Sequence, residues 1–172
     1  PDVHFDMVTV NLNGHERSVE KIGNITVHRI GHGLLSRGFL GKVFFMIRGY
    51  LKANALHKAF PYDVAWSIMA SQASVAATLF KKRNRKVKLV LTLQEGDEES
   101  HLLRYVGGNV FLYKLFIRPI HRMVFGRADE ITAISEHLKL RAILNGAKVP
   151  IRIIPNGVDV SIFSGDISEG EI

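Results

Sequence analysis

Three short clusters in this 172-residue chain hold side chains suited to polar chemistry. The first, Gln94-Glu95-Gly96-Asp97, follows the apolar run Leu89-Val90-Leu91-Thr92-Leu93. An amide donates and accepts hydrogen bonds, and a carboxylate accepts them. That combination suits a ligand rich in hydroxyls, such as a sugar. Glu95 and Asp97 could also assist a proton transfer. The same residues read equally as a glycine turn with solvated acids. The second cluster, Ser135-Glu136, opens a helical pattern, where a hydroxyl caps and an acid favours the first turn. If that helix start faces a cleft, it can meet an anion or a hydroxyl. The third is the exit from the β-branched run Ile151-Arg152-Ile153-Ile154, which stops at Pro155-Asn156-Gly157-Val158-Asp159. Pro presets φ, and Asn and Gly tolerate left-handed backbone, so a buried strand is expected to end here in an exposed turn. Asn156, Gly157 and Asp159 then line a cleft at the strand ends, or simply turn the chain.

Other chemistries lack their residues. There are no cysteines, which removes a disulfide scaffold, a thiolate zinc site and a cysteine nucleophile. None of the eight histidines has metal-ligand spacing such as His-Glu-x-x-His, so no metal and no cofactor are expected. His32 and His101, both in loops, are further ligand-contact candidates. No Gly-x-Gly-x-x-Gly, Lys-Ser/Thr phosphate loop or Gly-x-Ser-x-Gly occurs. That argues against a dehydrogenase, a P-loop ATPase and a serine hydrolase.

Lys and Arg number 23 against 16 Asp and Glu, a formal net charge of +7. Such an excess favours anionic partners, or serves as a solubilising surface. The basic run Lys81–Lys88 lacks interleaved aromatics and reads as a solvated turn, so nucleic acid is not expected. No apolar run reaches the roughly 18–20 residues of a membrane span. A helix at about 38–60 is amphipathic, with Leu40, Val43, Phe44, Ile47, Tyr50 and Leu51 as its packing stripe. Its basic residues lie on a solvated face or meet an anionic membrane surface. The chain opens on Pro1 directly before strand-like sequence, and a cut piece of a longer protein is expected.

The elements that position the clusters alternate. Strands are expected at 3–10, 25–30, 64–68, 89–93, 130–134 and 151–154, with 11–21 as a polar loop. The strand at 64–68 reads as buried. Helices are expected at 38–60, 72–82, 110–125 and 136–144, with Pro119 kinking or dividing the third. This alternation predicts an α/β fold: a Rossmann-like parallel sheet with helices on both faces. In such sheets ligands sit at the carboxyl ends of the strands, which gathers all three clusters along one edge.

Two segments resemble a known family in order and spacing. Arg127-Ala128-Asp129-Glu130-Ile131-Thr132-Ala133-Ile134-Ser135 is similar to the "arginine-alanine-aspartate … valine-serine" strand of GT-B glycosyltransferases of family 4. Ile154-Pro155-Asn156-Gly157-Val158-Asp159, about twenty residues on, resembles the signature that closes their N-terminal domain. Pro61-Tyr62-Asp63-Val64 and Leu91-Thr92-Leu93-Gln94 are similar to two more of its core strands, with Gln94 where many members carry His. The resemblance implies the N-terminal, acceptor-side domain at residues 1–163, with a tail or interdomain linker at 164–172. It implies transfer of a sugar from a nucleotide-sugar donor to a lipid, glycan or small-molecule acceptor, usually with retention and without a metal. Donor binding, and therefore activity, would need a C-terminal domain outside this chain. The family's opening strand, glycine-rich loop and first helix are also missing, which leaves a gap in a sheet where that strand is central. The expected setting is cytoplasmic, with a peripheral place at the inner face of the membrane. The reading of another class is a non-catalytic Rossmann-like module on an anionic membrane or in a polysaccharide assembly. A sugar-nucleotide epimerase of the same overall fold is a third.

Overall fold

Aliphatic runs separated by helical patterns become parallel strands because each crossover helix returns the chain to the same edge of the sheet. A computed structural model describes residues 3–12, 14–31, 38–94, 103 and 106–159. The elements are β1 (Phe5–Val10), β2 (Val19–Ile22), β3 (Ile25–Ile30), α1 (Gly38–Ala59), β4 (Val64–Ile68), α2 (Gln72–Arg83) and β5 (Lys88–Leu93). Then α3 (Val110–Leu112) passes through a π-turn, Tyr113–Ile117, into α4 (Arg118–Arg127). β6 (Glu130–Ala133), α5 (Glu136–Leu144) and β7 (Ile151–Ile153) follow. Pro119 follows directly on the π-turn within a helical run that is unbroken from Val110 to Arg127, so the expected division does not occur and the irregularity is the π-turn.

β4, β5, β6 and β7 pair in that order, all parallel. The fold is α/β, a parallel sheet flanked by helices. Leu91, Leu93, Ile131 and Ala133 share one face of it. They form the core with Val75 of α2, Val124 and Phe125 of α4, and Leu138 and Ala142 of α5. β1, β3 and β2 form a second sheet, with β1 parallel to β3 and β2 antiparallel to it. β1 and β4 are thus edge strands of separate sheets. One cross-tie is the Tyr62 hydroxyl, which donates to the Asp6 carboxylate.

Several expectations are corrected. The polar stretch 11–21 is not all loop: Val19–Ile22 pairs with β3 across the turn at Gly23, whose φ is +59°. Only a glycine takes that backbone without strain, and the hairpin follows from it. β4 is not buried: Val64, Trp66 and Ile68 are 52%, 59% and 44% exposed. Ala65 and Ser67 pair with Leu89 and Leu91 on the core face of the sheet, whereas Val64, Trp66 and Ile68 are on the opposite face. β7 is an edge strand too, and Ile154 beyond it is 57% exposed.

The packing stripe of α1 is also different. Phe44, Ile47 and Leu51 are 55%, 51% and 57% exposed, whereas Gly41 and Gly49 are buried. The helix is apolar on most of its circumference, so periodicity could not choose the face. Close approach to α2 chose it: a Cβ placed on Gly49 would stand 3.2 Å from the Ala76 Cβ. Gly49→Leu is expected to push the helices apart and cost about 1–3 kcal/mol. A urea titration followed by circular dichroism reads this as a lower midpoint; an unmoved midpoint would refute the contact's importance. Leu40 is among the residues whose side chains lie outside the description, as are His32, Glu95, Asp97, His101 and the tail at 164–172.

Candidate functional site

Three backbone hydrogen bonds bring the strand exits side by side. Met69 N–H donates to Thr92 O at 2.7 Å, Ile134 N–H to Leu93 O at 3.2 Å, and Ile154 N–H to Ala133 O at 2.8 Å. The chain therefore leaves β4, β5, β6 and β7 at one edge, in strand order, about 4.8 Å per step. Gln94 is exposed at the end of β5. One strand over, Ser135 is half-buried, and its Oγ accepts from Leu138 N–H at 3.3 Å as the cap of α5. Glu136 is exposed and pairs with Lys139 Nζ at 3.2 Å. Asn156, Gly157 and Asp159 are exposed beyond β7. Gln94, Ser135 and Glu136 are thus on neighbouring strands, with the Asn156–Asp159 exit next in order. Glu95 and Asp97 lie outside the described residues. Ser135→Ala removes the cap and is expected to cost about 1 kcal/mol, read as a lower melting temperature. Restoration by Ser135→Asp, another good cap, distinguishes capping from a general packing effect.

The exit from β4 carries a feature that the sequence did not signal. Met69 has φ +66°, the one positive value outside glycine among the described residues. Its carbonyl accepts from the Ser74 hydroxyl, and Ser74 Oγ lies 2.7 Å from Ser67 Oγ. Both serines are buried, so this knot holds a backbone conformation that a methionine would otherwise avoid. Behind it, Met69, Ser71 and Leu93 line a depression closed by His121, Arg141 and Asn145. His121 Nδ1 and Asn145 Oδ1 are 3.3 Å apart. No spacing rule links residues that come from four elements, and none of the clusters read from sequence lines this depression.

The electrostatics of the edge come from helix starts. Ser71 Oγ accepts from Ala73 N–H at 3.3 Å, so α2 and α5 both begin at this edge with capped, partly positive ends. Among the described residues no group of three His, Asp or Glu could hold a metal ion. The two carboxylates with a shifted pKa among the described residues lie elsewhere and serve the scaffold. Asp129 accepts from Leu89 N–H at 2.7 Å and pairs with Lys81 Nζ at 2.8 Å. Burial opposes its charge, but the Lys81 and Leu89 hydrogen bonds and the lysine field together hold its pKa below the ordinary value. Asp6 is likewise lowered: burial opposes ionisation, and hydrogen bonds from Tyr62, His28 and His4 outweigh it.

A parallel α/β sheet with polar residues along its carboxyl edge defines a Rossmann-like domain, here with the GT-B fold. The chain belongs to Glycosyltransferase Family 4, whose family model matches residues 3–162. Among solved structures it is similar to sucrose-phosphate synthase from Thermosynechococcus elongatus, with a TM-score of 0.66 at 15% identity. That match covers 92% of this chain and 39% of the synthase chain. A shorter chain of the same synthase aligns at 16% identity and TM-score 0.62, covering 93% of this chain and 80% of that one. At such identities the likeness is one of fold. The chain spans well under half of the first synthase chain. Comparison with curated proteins finds no match. Among the described residues no helix is long and apolar enough to cross a membrane.

Proposed function

We propose that residues 1–163 are the acceptor-binding domain of a glycosyltransferase, with 164–172 leading to a donor-binding domain. The reaction moves a sugar from a nucleotide-sugar donor to a hydroxyl of a lipid, glycan or small-molecule acceptor, with retention. The bond from the anomeric carbon to the diphosphate breaks, a bond to the acceptor oxygen forms, and the acceptor proton leaves. Gln94 would hold acceptor hydroxyls through its amide, and Glu95 or Asp97 would receive the proton. Ser135 and Glu136 at the start of α5, with Asn156, Gly157 and Asp159, would complete the acceptor side of the cleft. The observation that carries this reading is the family match across residues 3–162.

Turnover by the full-length protein against a panel of nucleotide sugars tests it, read as released nucleoside diphosphate. Release with at least one donor, and none from the 172 residues alone, is the expected result. No release with any donor would sink the enzyme reading. Within an active protein, Gln94→Ala is expected to raise the acceptor KM about tenfold, the worth of one lost hydrogen bond, and to leave the donor KM unchanged.

A second reading is a non-catalytic module held on an anionic membrane or in a polysaccharide assembly at the cytoplasmic side. The outer face of α1 favours it, since Phe44, Ile47 and Leu51 are exposed beside Arg48. The same turnover assay separates the two.

A further inference from the structure

The helices on one side of the molecule share an unusual charge pattern. α2 touches α1 and α4, so the three lie in one layer. Across Gly38–Ala59, Gln72–Arg83 and Val110–Arg127 there is no Asp or Glu, although the chain has 16. Eleven of its 23 Lys and Arg lie there. An ordinary solvated helix mixes both signs, because paired charges stabilise it and keep it soluble.

The segment 110–127 adds an exposed apolar face. Phe111 and Leu115 are 72% and 53% exposed, and Phe116 and Ile120 are 57% and 41% exposed. Each pair is four residues apart and forms a ridge. Tyr113, Val124 and Phe125 are buried against the domain instead. Lys114, Arg118 and Arg122 repeat at the same spacing and are exposed. Among the described residues, no ion pair involves any of the three. The π-turn at Tyr113–Ile117 holds more residues than an α-turn, which keeps side chains four apart closer to one line. Large exposed apolar patches mark interaction surfaces. Aliphatic and aromatic groups beside an uncompensated basic stripe match the acyl chains and phosphates of a lipid interface. A nucleic acid would use the cations but gains little from Leu115 and Ile120.

We propose that this layer docks on an anionic lipid bilayer, with Phe111 and Phe116 entering the interface and Lys114, Arg118 and Arg122 meeting lipid phosphates. β5 ends at the carboxyl edge and β6 begins at the opposite one, so the segment 110–127 starts beside the Gln94 edge. If the transfer reading holds, docking brings that edge to a lipid-borne acceptor; the docking itself does not depend on it.

Sedimentation of the full chain with phosphatidylserine–phosphatidylcholine vesicles tests the proposal, with pure phosphatidylcholine as the comparison. Binding to the acidic vesicles alone, weakened by salt, is expected. The triple variant Lys114→Ala, Arg118→Ala, Arg122→Ala is expected to bind about a hundredfold more weakly. The double variant Phe111→Ser, Phe116→Ser is expected to bind at least tenfold more weakly. All five side chains are exposed, so circular dichroism and melting should match the parent and separate lost docking from lost folding. Phe116→Trp in a Trp66→Phe background should shift its emission to the blue on acidic vesicles. No binding by the parent, or undiminished binding by either variant, overturns the proposal. So does a parent that ignores vesicles but self-associates through Phe111 and Phe116, which would make the face an interface between copies. No nucleotide sugar enters these measurements, so their failure is distinct from failure of the transferase reading.

Discussion

Asp129→Ala is expected to lower the unfolding free energy by about 2–4 kcal/mol, because it leaves a buried strand amide without its acceptor. Leu89, whose N–H the carboxylate receives, is 2% exposed and sits near the start of the central strand β5. The backbone also binds here, with Asp129 N–H donating to Leu89 O at 2.9 Å. The side chain thus closes a second bond at the same rung and fixes where β6 joins β5. Lys81 is less affected, since its Nζ also donates to Val87 O at 2.6 Å. Asp129→Asn keeps one oxygen for the amide and is expected to recover about half of the loss. The pH dependence follows from the lowered pKa. A carboxyl with a folded pKa below its unfolded value of about 3.9 stabilises fully above that value. The contribution is lost as pH falls through the folded pKa. Urea midpoints of parent and alanine variant should therefore differ most near neutrality and converge in acid. Equal midpoints at neutral pH would show that Asp129 does not clamp the strand.

Asp6→Ala should have an effect of the same order, about 2–4 kcal/mol, for a different reason. Asp6 is the acceptor for three side chains: the Tyr62 hydroxyl, His28 Nε2 at 2.7 Å and His4 Nε2 at 3.1 Å. Its own side chain is 8% exposed and that of His28 is 9%. His28 Nδ1 is already buried without a partner, so the alanine variant strands both ring nitrogens. The Tyr62 bond is the long-range part, joining β1 to the turn before β4. Burial first, and then the Asp6 hydrogen bond, push the Tyr62 pKa well above its ordinary value. The tyrosine's share is therefore present below about pH 10 and fades as pH rises through the folded value. The carboxylate's share behaves as for Asp129 and fades in acid. Tyr62→Phe should cost only about 1 kcal/mol, since it removes one bond and leaves the histidines served. Hydrogen exchange of the β3 amides provides the second readout. Asp6→Ala should accelerate it much more than Tyr62→Phe, and equal effects would argue against the three-way acceptor role.

Both carboxylates show how one motif can be legible while its work is not. Arg127-Ala128-Asp129 stood out in the sequence as a family resemblance, and Asp129 turned out to face the amino edge, away from the candidate site. Asp6 carried no signal, because two of its three partners, His28 and Tyr62, come from positions 22 and 56 residues away. The cap of α5 was legible: Ser135 precedes an apolar-periodic run, and it does cap. The face of α1 was not, because a helix apolar on most sides gives no preferred direction. The exposure of β4 was hidden for a related reason. Val64-Ala65-Trp66-Ser67-Ile68 alternates between two faces, and composition does not say which neighbour is missing.

Local chemistry in the chain determined most of the order of strands and helices, the cap at Ser135 and the gathering of exits at one edge. These follow from side-chain periodicity and backbone preference over a few residues, and they were enough to recognise the family. Tertiary structure alone decided the two-sheet division, the Gly49 contact, the left-handed Met69, the Asp6 cluster and the outward ridges of Phe111, Leu115, Phe116 and Ile120. Each depends on which surfaces meet, and that is a property of contacts between distant residues that no short window contains.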